Sequence, residues 1–126
     1  MKILLAEQSR AVSFALERLL AGRGYEVESV YDGIQALERL QNDSFDLLIV
    51  ETDLPRIDGR RLVRCLLTRD VKIPTIGILP TSEVRGSDVA ESEGMDALLP
   101  KPYSAEEFLS LVKTWGKRTG YEGMNV

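Results

Sequence analysis

The sequence contains no histidine. Catalysis by a serine–histidine–aspartate triad, zinc held by imidazole and phosphotransfer from a histidine of this chain are therefore excluded. A single cysteine, Cys65, allows no disulfide within the chain and suits a reducing cytosol. Its flanks, "RLVRCLLTR", read as helix, so Cys65 is expected to be a packed thiol at the core or its boundary rather than a reactive group. No run nears the roughly 18 apolar residues of a membrane-spanning helix. The opening "MKILLAEQS" is too short for a signal peptide and runs into an acid, so a cytoplasmic location is expected. Basic residues are outnumbered, 16 against 20 acids. The resulting formal charge of −4 argues against a chain built mainly to grip phosphate backbones, although a local basic face escapes a net count.

What is present suffices for one domain: 126 residues at 44% hydrophobic can bury a core without metal or disulfide. Punctuation and periodicity divide the chain into a regular series. "KILLA" (2–6) is a short apolar strand, and Ser9 caps a helix carrying Val12, Leu16, Leu19 and Leu20 at helical spacing. Gly22 and Gly24 end that helix, and "YEVESV" (25–30) alternates as a strand nearer the edge. Asp32 and Gly33 open a second helix with Ile34, Leu37 and Leu40 on one face. "DLLIV" (46–50) has no polar member after its first residue, the mark of a strand covered on both sides. Asp58 heads a helix with Leu62, Leu66 and Leu67, and "IPTIGIL" (73–79) is a fourth strand. A weaker helical pattern spans 82–93, "DALL" (96–99) is a fifth strand, and 104–117 is a final helix. In that helix Ser104 and Glu107 form a capping box, while Phe108, Leu111, Val112 and Trp115 share a face.

Strands alternating with helices five times predict an α/β fold: one domain with an open five-stranded parallel sheet and helices on both faces. Residues 1–118 make up the expected domain, and 119–126 a flexible C-terminal tail that ends the chain or begins a linker. Ligand-facing residues in such sheets sit just past the carboxyl ends of the strands. Those positions are Glu7 and Gln8, Glu51 with Asp53 close behind, Leu79, and Lys101. Convergent acids hold Mg²⁺ through hard oxygens, accept a phosphoryl group, or are neutralised by a lysine without turnover.

From residue 2 to about 116 the chain resembles the receiver domain of two-component response regulators. The resemblance rests on an acidic-pair position after strand one, on "DLLIVETDLPRIDG" with its Pro55–Asp58–Gly59 spacing, and on "GMDALLPKPYSAEEF" with its Lys101–Pro102–Tyr103 run. It implies the (βα)5 flavodoxin-like topology of receivers. In that family an aspartate four residues before the loop proline accepts phosphate, an acidic pair holds Mg²⁺, a threonine or serine ends strand four, and a lysine contacts the phosphoryl group. Carried over, the acceptor position is Glu51, the acidic pair is Glu7 and Gln8, the hydroxyl position is Leu79, and the lysine is Lys101. An aromatic common three residues before the lysine is Leu98 here.

These departures compound. The extra methylene of Glu51 displaces its oxygen by roughly an ångström, a misplacement that can cost about 100-fold in rate. An amide at Gln8 removes a charged Mg²⁺ ligand, and leucine at 79 offers no donor to a phosphoryl oxygen. The expectation is an atypical (pseudo-) receiver, phosphorylation-independent and not an enzyme, with no catalytic residue, no metal site and at most weak Mg²⁺ binding. Glu51 then reaches Lys101, either as a locked bridge or as a fixed imitation of the phosphorylated state. Asp53 is expected as a loop-capping or solvent-facing acid.

The resemblance also implies a protein partner or homodimer through the face made by helix four, strand five and helix five. That face would include Arg85, Asp88, Leu98, Tyr103, Glu107 and Lys113. Trp115 and Tyr121 either anchor it or, for Trp115, cover the core. Lys117 and Arg118 suit the last turns of a helix, and direct nucleic-acid binding is not expected. Three alternatives stay open: a Mg²⁺-dependent phospho-accepting receiver using Glu51 or Asp53, a pocket kept for a small ligand, and the input domain of a longer transcription regulator.

Overall fold

In the computed structural model, which describes residues 1–80 and 94–116, the apolar runs form parallel strands. These are β1 (Lys2–Ala6), β2 (Glu26–Val30), β3 (Leu47–Glu51), β4 (Thr75–Leu79) and β5 (Ala97–Pro100), in the sheet order β2-β1-β3-β4-β5. The described helices are α1 (Arg10–Ala21), α2 (Gly33–Asn42), α3 (Gly59–Thr68) and α4 (Ala105–Gly116). The helix predicted over 82–93 and the tail predicted from 119 lie outside the described residues, so α4 is the helix expected fifth.

Strand alternation sends side chains to two cores. Leu4, Ala6, Leu48 and Val50 meet α2 and α3 through Leu40, Leu62, Val63 and Leu66. On the other face Ile3, Leu5, Ile49, Ile76, Ile78 and Leu99 meet α1 and α4 through Leu16, Leu20, Phe108 and Val112. Every residue of β3 is buried, as its unbroken apolar run predicts, and β2 lies at the edge. Full burial of each such leucine or isoleucine is worth about 1.5–3 kcal/mol.

The predicted caps form. Ser9, Asp32 and Asp58 accept from the N–H groups of Val12, Gln35 and Arg61. The Ser104–Glu107 box closes both ways, at 2.9 and 3.0 Å.

Three expected inward residues face outward instead. Val12 is exposed where Ser13 is buried, Ile34 where Ala36 is buried, and Leu67 where Val63 is buried. The sheet selects the helical face, and a small or hydroxyl residue fits against it when satisfied. Ser13 Oγ does so by donating to Ser29 Oγ at 2.9 Å. The fourth strand begins at Thr75, two residues later than its pattern. Pro74 before it has no N–H, although its carbonyl accepts from Leu48 N–H at 2.9 Å.

Candidate functional site: two glutamates and a lysine at the strand ends

All five strands point the same way, so their carboxyl ends share one edge of the sheet. Glu51, the last residue of β3, is 1% exposed. Its Oε2 accepts from Lys101 Nζ at 2.7 Å, and its Oε1 accepts from the Gln8 backbone N–H at 2.9 Å. Glu7, just past β1, is also 1% exposed. Its Oε2 accepts from Ser9 N–H at 2.8 Å, while its Oε1 is buried without a hydrogen-bond partner. The entry into α1 thus supplies two backbone N–H groups to two carboxyls, as helix N-termini do for anions.

Burial pushes the Glu7 carboxyl up to about 7; the Ser9 N–H opposes this, and the Glu51 carboxylate beside it reinforces it. Burial also pushes Glu51 upward, but Lys101 and the Gln8 N–H outweigh it and hold that carboxyl below the usual range. Burial lowers the Lys101 ammonium, and Glu51 more than offsets this, so the net direction is upward. Glu51 is thus held ionised and Lys101 protonated, while Glu7 keeps its proton to higher pH than an ordinary glutamate. With Glu7 protonated the buried cluster is neutral and the orphaned Glu7 oxygen gains a donor.

The loop after β3 is pinned beneath this cluster. Thr52 N–H donates to Ile78 O, and Gly59 N–H donates to Thr52 O, each at 3.0 Å. A Cβ on Gly59 would stand 2.3 Å from the Glu51 carbonyl oxygen, so α3 can start this close to the site only with glycine there.

Of the residues expected here, Glu7, Glu51 and Lys101 come together. Gln8 contributes its backbone, and its side-chain amide, exposed, reaches the Asp53 carbonyl at 3.5 Å. The Asp53 side chain is exposed. Leu79 is buried, and its carbonyl accepts from Lys101 N–H at 3.0 Å, next to a cis Lys101–Pro102 peptide. Among the described residues no three histidine, cysteine, aspartate or glutamate side chains converge as a metal site. The backbone donors of Gln8 and Ser9 went unforeseen, since main-chain N–H groups leave no mark in a sequence; the Ser9 cap beside Glu7 was the available signal.

The expected partner face is divided. Leu98 packs toward the α2–α3 side of the sheet, whereas Tyr103 stacks on Phe108 at 6.0 Å on the other side. Glu107 and Lys113 are exposed on α4, Trp115 is half-buried against that core, and Arg85 and Asp88 lie outside the described residues. Cys65 is half-buried on α3. Among the described residues no helix is long and apolar enough to cross a membrane.

Comparison with known proteins matches residues 3–113 to the response regulator receiver domain. The response regulator MprA of Mycobacterium avium (strain 104) is 33% identical over 119 residues, which cover 94% of this chain and 52% of that protein. The chain thus spans about half the length of the curated relatives it matches. Among solved structures, the signal receiver domain of a signal transduction histidine kinase from Syntrophus aciditrophicus is 33% identical. Its TM-score is 0.82, with 94% of this chain and 93% of that one covered. The receiver domain of the sensor histidine kinase PA1611 from Pseudomonas aeruginosa PAO1, whose structure carries a magnesium ion in its active-site cleft, is 26% identical. Its TM-score is 0.81, with 91% and 96% covered. With the parallel sheet order, the acid-and-lysine cluster at its carboxyl edge and this match in hand, the chain belongs to the response regulator receiver domain family, a signalling module of two-component systems rather than an enzyme.

Proposed function

We propose that this receiver acts as a protein-interaction module whose output does not depend on phosphorylation. The observation that carries this reading is the saturation of Glu51: both carboxylate oxygens are already engaged, by Lys101 and by the Gln8 N–H, in a pocket that leaves the residue 1% exposed. An acyl phosphate at Glu51 would have to break one of these contacts and bring more charge into a site that is already neutral. The donor set also fits Mg²⁺ poorly. Gln8 is an uncharged amide, Leu79 has no hydroxyl, and Glu7 holds its proton up to about pH 7. On this reading Glu51 stands at the family's acceptor position, and signalling passes through the edge formed by β5 and α4, with Leu98, Tyr103, Glu107 and Lys113. Arg85 and Asp88 would extend that edge, with a protein or a second copy as partner and residues 1–118 as the functional unit.

A second reading is favoured by the comparisons rather than by the pocket. The matched relatives are about twice as long and are named response regulators, and one similar receiver carries magnesium in its cleft. On this reading the chain is the input half of a longer regulator and accepts phosphate with Mg²⁺ at Glu51 or Asp53. A titration with Mg²⁺ and then beryllofluoride, followed on backbone amides, separates the two. The first reading expects no saturable shifts at Glu7, Glu51, Asp53 and Lys101 in a folded sample. Saturable shifts clustered there overturn it in favour of the second.

A further inference from the structure

Charge is segregated along this chain. Residues 56–72 hold six basic residues against two acids, a formal +4, whereas the rest holds ten against eighteen, a formal −8. Half of these basic residues lie on one helix and the others flank it. Leu62, Val63 and Leu66 of α3 face the core, which leaves Arg60, Arg61, Arg64 and Thr68 on the opposite face. Arg61 and Arg64 are exposed, as are Arg56 before the helix and Arg69 and Lys72 after it. Among the described residues no ion pair is formed by Arg56, Arg61, Arg64, Arg69 or Lys72. Of the two acids in this stretch, Asp58 is engaged in capping α3, and Asp70 follows the helix.

Helix stability does not explain these arginines. Arg60 and Arg61 occupy the first turn, where the helix dipole disfavours positive charge, and α3 has no acid in that turn. Like charges three and four residues apart, Arg61 with Arg64 and Arg60 with Arg64, also repel. Five of the six basic residues are arginine, whose planar fork suits carboxylates and is weakly hydrated.

A cavity of about 460 Å³, with both apolar and polar lining, adjoins this face at the C-terminal end of α3. Val63, Leu66, Leu67, Ile73 and Trp115 line it, with Lys72 among the lining residues. Leu67, 52% exposed, bridges the arginine face and the cavity. Asp96, the one acid lining it among the described residues, is engaged by Thr75 N–H at 2.7 Å. From these observations we infer that α3 and the adjoining cavity form a docking surface for an acidic protein segment bearing one large apolar anchor. Its carboxylates lie along Arg61, Arg64 and Lys72, and the anchor enters beside Leu67. An acidic protein segment is favoured over nucleic acid for two reasons. The remaining −8 of the chain repels an extended polyanion, and a cavity is of use to an apolar side chain but not to a phosphate backbone. The cavity lies at the C-terminal end of α3, whereas Gly59 at the other end packs on the Glu51 carbonyl oxygen.

The test is an amide NMR titration of the whole chain with a synthetic glutamate-rich helical peptide carrying one tryptophan. Two control ligands are the same peptide with glutamine for glutamate and a single-stranded oligonucleotide of equal charge. The expected result is saturable shifts confined to residues 60–75 and the remaining cavity-lining residues Gly94, Asp96 and Trp115, weakened at least tenfold by Arg61→Glu with Arg64→Glu, and also weakened by raised salt. Replacing the tryptophan with alanine should likewise cost at least fivefold. A milder Arg61→Gln with Arg64→Gln variant serves if charge reversal perturbs the fold. Equal binding of the glutamine peptide, shifts elsewhere, or indifference to both arginine variants overturns the inference. So does tighter binding of the oligonucleotide, which would reassign the face to nucleic acid.

Discussion

Lys101 Nζ lies 2.7 Å from Glu51 Oε2, a contact that joins the residue after β5 to the end of β3 across 50 residues of chain. The carboxylate is sealed from water while the lysine side chain is 36% exposed, so the acid has far more to lose than its partner. The asymmetry sets the first prediction.

Lys101→Met leaves a buried carboxylate without its cation. It should cost about 2–4 kcal/mol at pH 7, below the range for a fully buried pair because Lys101 is partly solvated. Adding Glu51→Gln should recover much of the loss. Urea unfolding of the two single variants and the double variant measures the coupling, and strictly additive effects would mean that the bridge contributes nothing.

Glu7 gives a pH signature. Its folded value near 7 lies above the ordinary 4.5, so between those limits the folded chain holds the extra proton. Stability therefore falls as pH rises from about 4.5 to 7, by an amount on the order of 1–3 kcal/mol. Glu51, held below the ordinary range, acts oppositely: its contribution is present above about pH 4.5 and lost as pH falls below it. Glu7→Gln imitates the protonated acid. It should flatten the urea midpoint between pH 5 and 8 and raise stability at pH 8. A slope unchanged from that of the parent would show that another group titrates.

Gly59→Ala places a methyl group 2.3 Å from the Glu51 carbonyl oxygen, a backbone atom that can yield only if β3 or α3 moves. A loss of about 2–4 kcal/mol is expected, with displaced amide resonances at Glu51 and Thr52. A neutral substitution would show that α3 does not approach the strand this closely in solution.

If the amide, the longer acid and the missing hydroxyl are what silence the pocket, reversing them should revive it. Gln8→Asp, Glu51→Asp and Leu79→Thr in one chain should yield acid- and hydroxylamine-labile phosphate after incubation with Mg²⁺ and acetyl phosphate; the parent should show none. Equal labelling of both chains would support phosphorylation of the natural pocket.

The alternation of strands and helices and the helix caps were legible because they are local. The apolar run of β3 reports burial on both faces, and Ser9, Asp32, Asp58 and Ser104 each sit where an N-terminal turn needs an acceptor. The strand ends likewise announced Glu7, Glu51 and Lys101 as neighbours, since a parallel sheet gathers its carboxyl termini at one edge.

The inward faces of the helices were less legible. Val12, Ile34 and Leu67 are apolar and helically spaced, yet Ser13, Ala36 and Val63 take the buried positions. Spacing alone does not say where the sheet lies, and a satisfied serine packs as closely as a small apolar residue. The protonation of Glu7 was likewise invisible, because it depends on burial and on a second carboxyl that arrives from residue 51. The sequence by itself determined the alternation, the caps and the residue types at the strand ends, all matters of nearest neighbours along the chain. Tertiary structure alone decided that both oxygens of Glu51 are occupied, that the Glu7 carboxyl is pushed up to about 7, and that the arginines of α3 share a face beside a cavity. Those outcomes depend on distances and on the exclusion of water between segments far apart in sequence.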